Sequence, residues 1–242
     1  MKILLESALV AAALTCTSLS PTQAQSLITN GGFNSGFNGW TRIDQTGGNG
    51  SWHEQSGAGS PVNGFPVPPS PGGTAAAMTD SEGPGSHVLY QDFVVPLTLS
   101  VAQLRFDLYI NNHANAFFSP ATLDFATPTL NQQFRVDILT SASNAFSVTV
   151  GDVLQNVYQT QPGNPLVSGY VTITADLTTL LAAHPGETLR LRFAQADNVQ
   201  IMNVGVDNVS LVVPEPASIS MLVGGLGLLA ALCVRRRRTR CG

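Results

Sequence analysis

Apolar and polar residues alternate with a period of two along much of this chain. Leu104, Phe106, Leu108 and Ile110 interleave with Arg105, Asp107 and Tyr109. Phe134, Val136 and Ile138 interleave with Arg135 and Asp137, and Leu189, Leu191 and Phe193 with Arg190 and Arg192. In a pleated strand successive side chains point to opposite faces, so each run predicts a strand with one face in a core. Residues 88–95, 146–150, 170–175 and 204–213 predict further strands, and Trp52 sits in another. In 204–213 the apolar positions change phase, from Val204 and Val206 to Val209, Leu211 and Val213, which predicts a β-bulge at Asp207-Asn208. Only residues 178–183 read as helix, stopped by His184-Pro185-Gly186. About eight or nine short strands with polar outward faces predict an all-β fold, an antiparallel two-sheet sandwich with one wet side per sheet.

Two segments break the alternation. Residues 47–73 are rich in Gly, Pro and Ser, which predicts a loose surface excursion. Asn30-Gly31-Gly32-Phe33 predicts a tight turn with positive φ, and Phe33 and Trp40 then bracket a second turn as core anchors.

The two ends carry addresses. Lys2, an apolar run at 8–14 and Thr22-Gln23-Ala24 predict a signal peptide over 1–24, cleaved after Ala24. At the other end stand Pro214-Glu215-Pro216, then 18 uncharged residues at 217–234, then Arg235, Arg236, Arg237 and Arg238 followed by Arg240. The prolines hold an extended segment ahead of the apolar run. That run is close to the ~20 residues that cross a bilayer core, so one C-terminal transmembrane helix is expected there. The arginines resist translocation and fix that end in the cytoplasm. In order, spacing and position this tail resembles the PEP-CTERM sorting signal of Gram-negative bacteria. The resemblance implies export machinery and an exosortase-type processing enzyme as partners. It also implies an inner-membrane intermediate, then delivery to the cell surface or extracellular matrix. The expected division is a signal peptide at 1–24, a sandwich domain at 26–211 and a sorting signal at 213–238.

Removing the ends changes the charge. Residues 26–211 keep five arginines, no lysine and 13 of the 15 acids, for a net charge of −8. An acidic body without a basic patch excludes nucleic acid as a partner. Cys16, Cys233 and Cys241 all lie outside it, so it has no disulfide, thiolate metal site or cysteine nucleophile.

Catalytic signatures are missing. His53, His87, His113 and His184 are scattered, and neither H-E-x-x-H nor G-x-S-x-G occurs. Asp80-Ser81-Glu82 reads as a solvated turn. The N-G-x-F…G-W pattern near Asn30 and the closing Asp207-Asn208-Val209-Ser210-Leu211 resemble galactose-binding-like jelly rolls, a fold of many bacterial carbohydrate-binding modules. The resemblance implies a structural calcium ion where the first and last strands meet, with Asp207 as a ligand. Asn34 stands where that family often has an acid. Trp52 and His53 are the candidate carbohydrate contacts, because a tryptophan face can stack on the C–H face of a sugar. The function expected is therefore that of a non-enzymatic exported protein, associated with biofilm matrix and binding exopolysaccharide weakly. The alternatives are a surface polysaccharide hydrolase and a structural coat protein without a ligand.

Overall fold

The structure, a computed structural model, describes residues 25–214. In chain order these form β1 (Gln25–Ser26), β2 (Asn34–Phe37), β3 (Thr41–Asp44), β4 (Ser51–Gln55), β5 (Ala76–Asp80), β6 (Gly85–Val94), β7 (Gln103–Asn112), β8 (Gln132–Thr140), β9 (Val153–Gln159) and β10 (Val171–Asp176). The short helix α1 (Thr178–Ala182), β11 (Thr188–Asp197) and β12 (Met202–Val213) complete the unit. One sheet runs β10-β7-β12-β5-β4, with β1 added beside β12, and the other runs β3-β6-β11-β8-β9. Every pairing is antiparallel. Most connections carry the chain from one sheet to the other, so the layers are interleaved in sequence. The all-β antiparallel sandwich expected from the alternation is what forms.

The alternation decides which side chains meet between the sheets. Leu104, Phe106, Leu108 and Ile110 of β7 face Leu189, Leu191 and Phe193 of β11 and Phe134, Val136 and Ile138 of β8 in one core cluster. Phe106 meets Phe193 edge-on at 5.4 Å, and Phe193 meets Trp40 at 5.9 Å. Fully burying one such side chain contributes about 1.5–3 kcal/mol. Phe33 and Trp40 both enter this core, with rings 5.3 Å apart.

The turn before Phe33 forms, but its glycines act differently from expectation. Positive φ falls on Asn30 and Phe33. Asn30 tolerates it because its side chain holds the turn, donating to Gly36 O and Asn38 O and accepting from Ser35 N. Gly31 is required for proximity: a Cβ there would lie 1.9 Å from Val209 O. The closing strand bulges as expected, with a register shift between Asp207 and Ser210 and Asn208 at φ 51. It continues through Val213, where Gln25 pairs with it, so the folded unit runs two residues past the expected boundary at 211.

Four sequence expectations are corrected. Residues 146–150 are not a strand; they form a loop, and the strand of that region is β9. Residues 56–73 are not a loose excursion. Asp80 accepts hydrogen bonds from Val62 N (2.6 Å) and Asn63 N (3.1 Å), and Val67 packs on Met78 and Tyr109. Asp80 and Ser81 are accordingly buried, and only Glu82 of that turn is exposed. Nor is the outward side of the second sheet wet: Arg135, Asp137, Arg190 and Arg192 are all buried beneath loops. The signal peptide, Glu215 and Pro216 of the sorting motif, the helix expected at 217–234 and the arginine cluster lie outside the described residues. Among the described residues no helix is long and apolar enough to cross a membrane.

Candidate functional site

The buried polar side chains on the outer face of the β3-β6-β11-β8-β9 sheet explain the main surface feature. Arg192 of β11 lies beside Asp137 of β8, with Nη2 2.5 Å from Asp137 Oδ2, and Arg135 makes a two-pronged contact with the same carboxylate at 2.8 and 2.7 Å. Burial alone would raise the Asp137 pKa. The Arg135 hydrogen bond and the two guanidinium charges outweigh it and hold the carboxyl below its usual value. The remaining donors of Arg192 reach outward, to Ala145 O (2.7 Å) and Ser147 O (2.6 Å). Arg190, paired with Asp92 at 2.7 Å and resting over the Tyr90 ring at 3.8 Å, donates to Ser143 O. These strands therefore hold the 143–149 loop against the sheet.

A second loop is held the same way by amides. Asn131 Nδ2 donates to Thr122 O and Asp124 O, and Gln133 Nε2 to Pro120 O and Thr122 O. Asn198 Nδ2 donates to Phe125 O, Thr127 O and Thr129 O. An amide bridging several carbonyls fixes irregular backbone that has no sheet partner.

Between the two loops lies an open cleft of about 430 Å³. Its base is apolar: buried Leu123 with half-buried Phe146 and Val148, packed over Val88, Ala194 and Ala196. Its lips are polar, formed by Gln45, Asp124, Asn144 and Thr149. Gln45 Nε2 bonds Asp124 Oδ1, which also accepts from Ala126 N at 2.9 Å. Asp124 Oδ2 has no hydrogen bond from a described residue, and the side chain is exposed. An apolar base with hydrogen-bonding lips can take an amphipathic, hydroxyl-rich ligand.

The residues singled out in the sequence lie elsewhere. Trp52 is completely buried between the sheets, so it has no face to offer a sugar. Its position on β4, paired with Thr79, turns it inward and its neighbour His53 outward. His53 is half-buried; burial lowers its pKa, while Asp80 opposes the shift. Neither residue lines the cleft.

Asp207 does sit where the first turn and the last strand approach each other, but its oxygens are already engaged. Oδ2 accepts from Ser70 Oγ (2.7 Å) and Gly72 N (2.8 Å), and Oδ1 from Asn208 N (2.7 Å). The Asn34 carbonyl takes the Thr74 hydroxyl. Calcium wants six to eight oxygens with carboxylates among them. This set has one carboxylate and does not fit, and among the described residues no group of three His, Cys, Asp or Glu is placed to hold a metal. Asp207 instead fastens the 70–72 backbone to the bulge.

A second, smaller cleft of about 230 Å³ lies between residues 82–84 and 197–201. Asp197 borders it but is only 1% exposed. Burial raises its carboxyl to about 7, against the lowering effects of the His87 charge and the Gly85 N–H bond. His87 Nδ1 lies 2.8 Å from Asp44 Oδ1, and its buried Nε2 has no hydrogen-bond partner among the described residues.

Comparison with known proteins adds the following. Residues 212–238 match the PEP-CTERM protein-sorting motif, which covers Pro214, Glu215 and Pro216 and indicates export and surface sorting in Gram-negative bacteria, with exosortase processing. No curated protein matches the chain. Among solved structures it is similar to the enzymatically active domain of bacteriophage CBA120 tailspike protein 4, at 10% identity and TM-score 0.45 over 78% of this chain; it spans 21% of the length of that chain. It is also similar to TmCBM61 in complex with β-1,4-galactotriose, at 10% identity and TM-score 0.44, covering 77% of this chain and 97% of that one. A third is the K1 cleaved adhesin domain of Lys-gingipain from Porphyromonas gingivalis W83, at 12% identity and TM-score 0.44, covering 79% and 98%.

Proposed function

We propose that this is an exported, surface-sorted binding protein whose sandwich takes saccharide chains in the cleft between the 120–130 and 143–149 loops. The observation that carries this reading is the cleft's division into an apolar base at Leu123, Phe146 and Val148 and amide, carboxylate and hydroxyl lips. A pyranose ring has the matching division, with apolar C–H faces and hydroxyl edges. The loops are held by buried strand side chains, so the cleft exists before a ligand arrives and little ordering cost accompanies binding. The open shape and small apolar area favour weak, repeated contacts along a polymer such as an exopolysaccharide, where linkage multiplies modest single-site affinity. A hydrolase would need two carboxylates facing each other across its cleft. Among the described residues Asp124 is the one carboxylate lining this cleft, which favours binding over turnover. On the way to the surface, the 217–234 segment would hold the protein in the inner membrane until the exosortase acts.

The test is retention on immobilised polysaccharides and a glycan array. The Phe146→Ala and Asn144→Ala variants should each lose retention by about two- to thirteenfold, since a stacked ring or a net hydrogen bond contributes about 0.5–1.5 kcal/mol. Retention unchanged in both variants would move the site elsewhere on the sandwich.

A further inference from the structure

We infer that the cleft selects its saccharide by charge, taking neutral or amine-bearing sugars and rejecting uronates, with Asp124 as the determinant. This rests on the saccharide reading above. The Asp124 carboxylate stands on the lip, exposed and outside every ion pair among the described residues. One of its oxygens is held by Gln45 and Ala126 N, which fixes the group in place and leaves Oδ2 without a hydrogen bond from a described residue.

Among the described residues no arginine is available to answer it. The five arginines of the described residues are engaged elsewhere. Arg135 and Arg192 share Asp137, and Arg190 holds Asp92. Arg42 donates to Trp52 O and covers Phe37, and Arg105 lies on the other sheet beside Thr172. Arg192 reaches the 143–149 loop, but its donors are spent on Asp137 and on the loop carbonyls, and its side chain is fully buried. The 26–211 segment carries no lysine and a net charge of −8, five arginines against 13 acids. Carboxylate recognition elsewhere in proteins relies on Arg or Lys donors, and this cleft presents acceptors and neutral amides instead.

The experiment compares the full-length protein on three oligosaccharide series of matched length: galactan, oligogalacturonide and galactosamine oligomer. A like charge about 4 Å from Asp124 in water is worth about a fivefold loss. The oligogalacturonide should bind at least about fivefold more weakly than the galactan at low salt, and the galactosamine oligomer at least as tightly. The gap should close as the ionic strength rises to 0.5 M, because exposed charges are screened. Asp124→Asn should bring the galactan-to-galacturonide ratio close to one, and Asp124→Glu should keep it well above one. Equal binding of galactan and galacturonide by the native protein, or an unchanged ratio in Asp124→Asn, overturns charge selection while leaving a saccharide site in place. No binding in any series overturns the saccharide reading and this inference with it.

Discussion

Asp137 is the residue on which the candidate site depends most. It is fully buried and receives both Arg135 and Arg192. Removing one partner of a buried ion pair costs about 3–5 kcal/mol, because the other charge is left desolvated and alone. Asp137→Ala should therefore destabilise the protein by that amount, as read by urea unfolding. Arg192→Met should cost less than Asp137→Ala, since Arg135 still neutralises the carboxylate. It should nevertheless weaken saccharide retention, because the Ala145 and Ser147 carbonyls lose their shared donor. Stability loss without any loss of retention in Arg192→Met would show that the 143–149 wall stands without it.

At the scale of elements, strands were legible where each face had its own composition. β7, β8, β11 and the bulge in β12 all follow from alternating Leu, Phe and Val. β5, Ala-Ala-Met-Thr-Asp, is buried on both faces and so shows no alternation, and β9 is broken by two register shifts. The site was not legible for a related reason. An outward arginine on a strand looks solvated in sequence, and only the fold shows a loop resting on it. Trp52 failed as a ligand contact because period two says that one of Trp52 and His53 faces in, without saying which. The 56–73 loop makes the same point, since its order comes from Asp80 and Asp207, both outside it in sequence. Asp80→Ala would strip the acceptor from Val62 N and Asn63 N, costing about 1–3 kcal/mol of buried hydrogen bonding. Limited proteolysis should then cut within 56–73 much faster than in the native protein, while cleavage elsewhere stays unchanged. An unchanged cutting rate would place the loop's hold in Val67 and its apolar contacts.

For the whole molecule, pH should reveal the conflict between a buried acid and the charged struts of the outer sheet. Asp197 has its carboxyl pushed up to about 7 by burial, whereas an unfolded aspartate titrates near 3.9. Between those values the folded state holds a proton that the unfolded state has released. Stability from this group therefore falls as pH rises from about 4 to about 7, by at most about 4 kcal/mol, and then levels off. Asp137 acts in the opposite sense, since its folded pKa is depressed. Its contribution is present above about 4 and disappears as pH falls through the folded value. The two together place the stability maximum in mildly acidic solution. Urea unfolding at pH 4.5, 6.0 and 7.5 should show the native protein weakening across that series. Asp197→Asn keeps a group able to accept from Gly85 N and cannot ionise, so its curve should be flatter and should lie above the native one at pH 7.5. His53, whose lowered pKa adds stability as pH rises, is the same in both proteins, so the difference between the two curves isolates Asp197. If the variant is no more stable than the native protein at pH 7.5, the Asp197 carboxylate has compensation within the fold, and His87, held by Asp44 and facing the same end of the sandwich, is the group to substitute next.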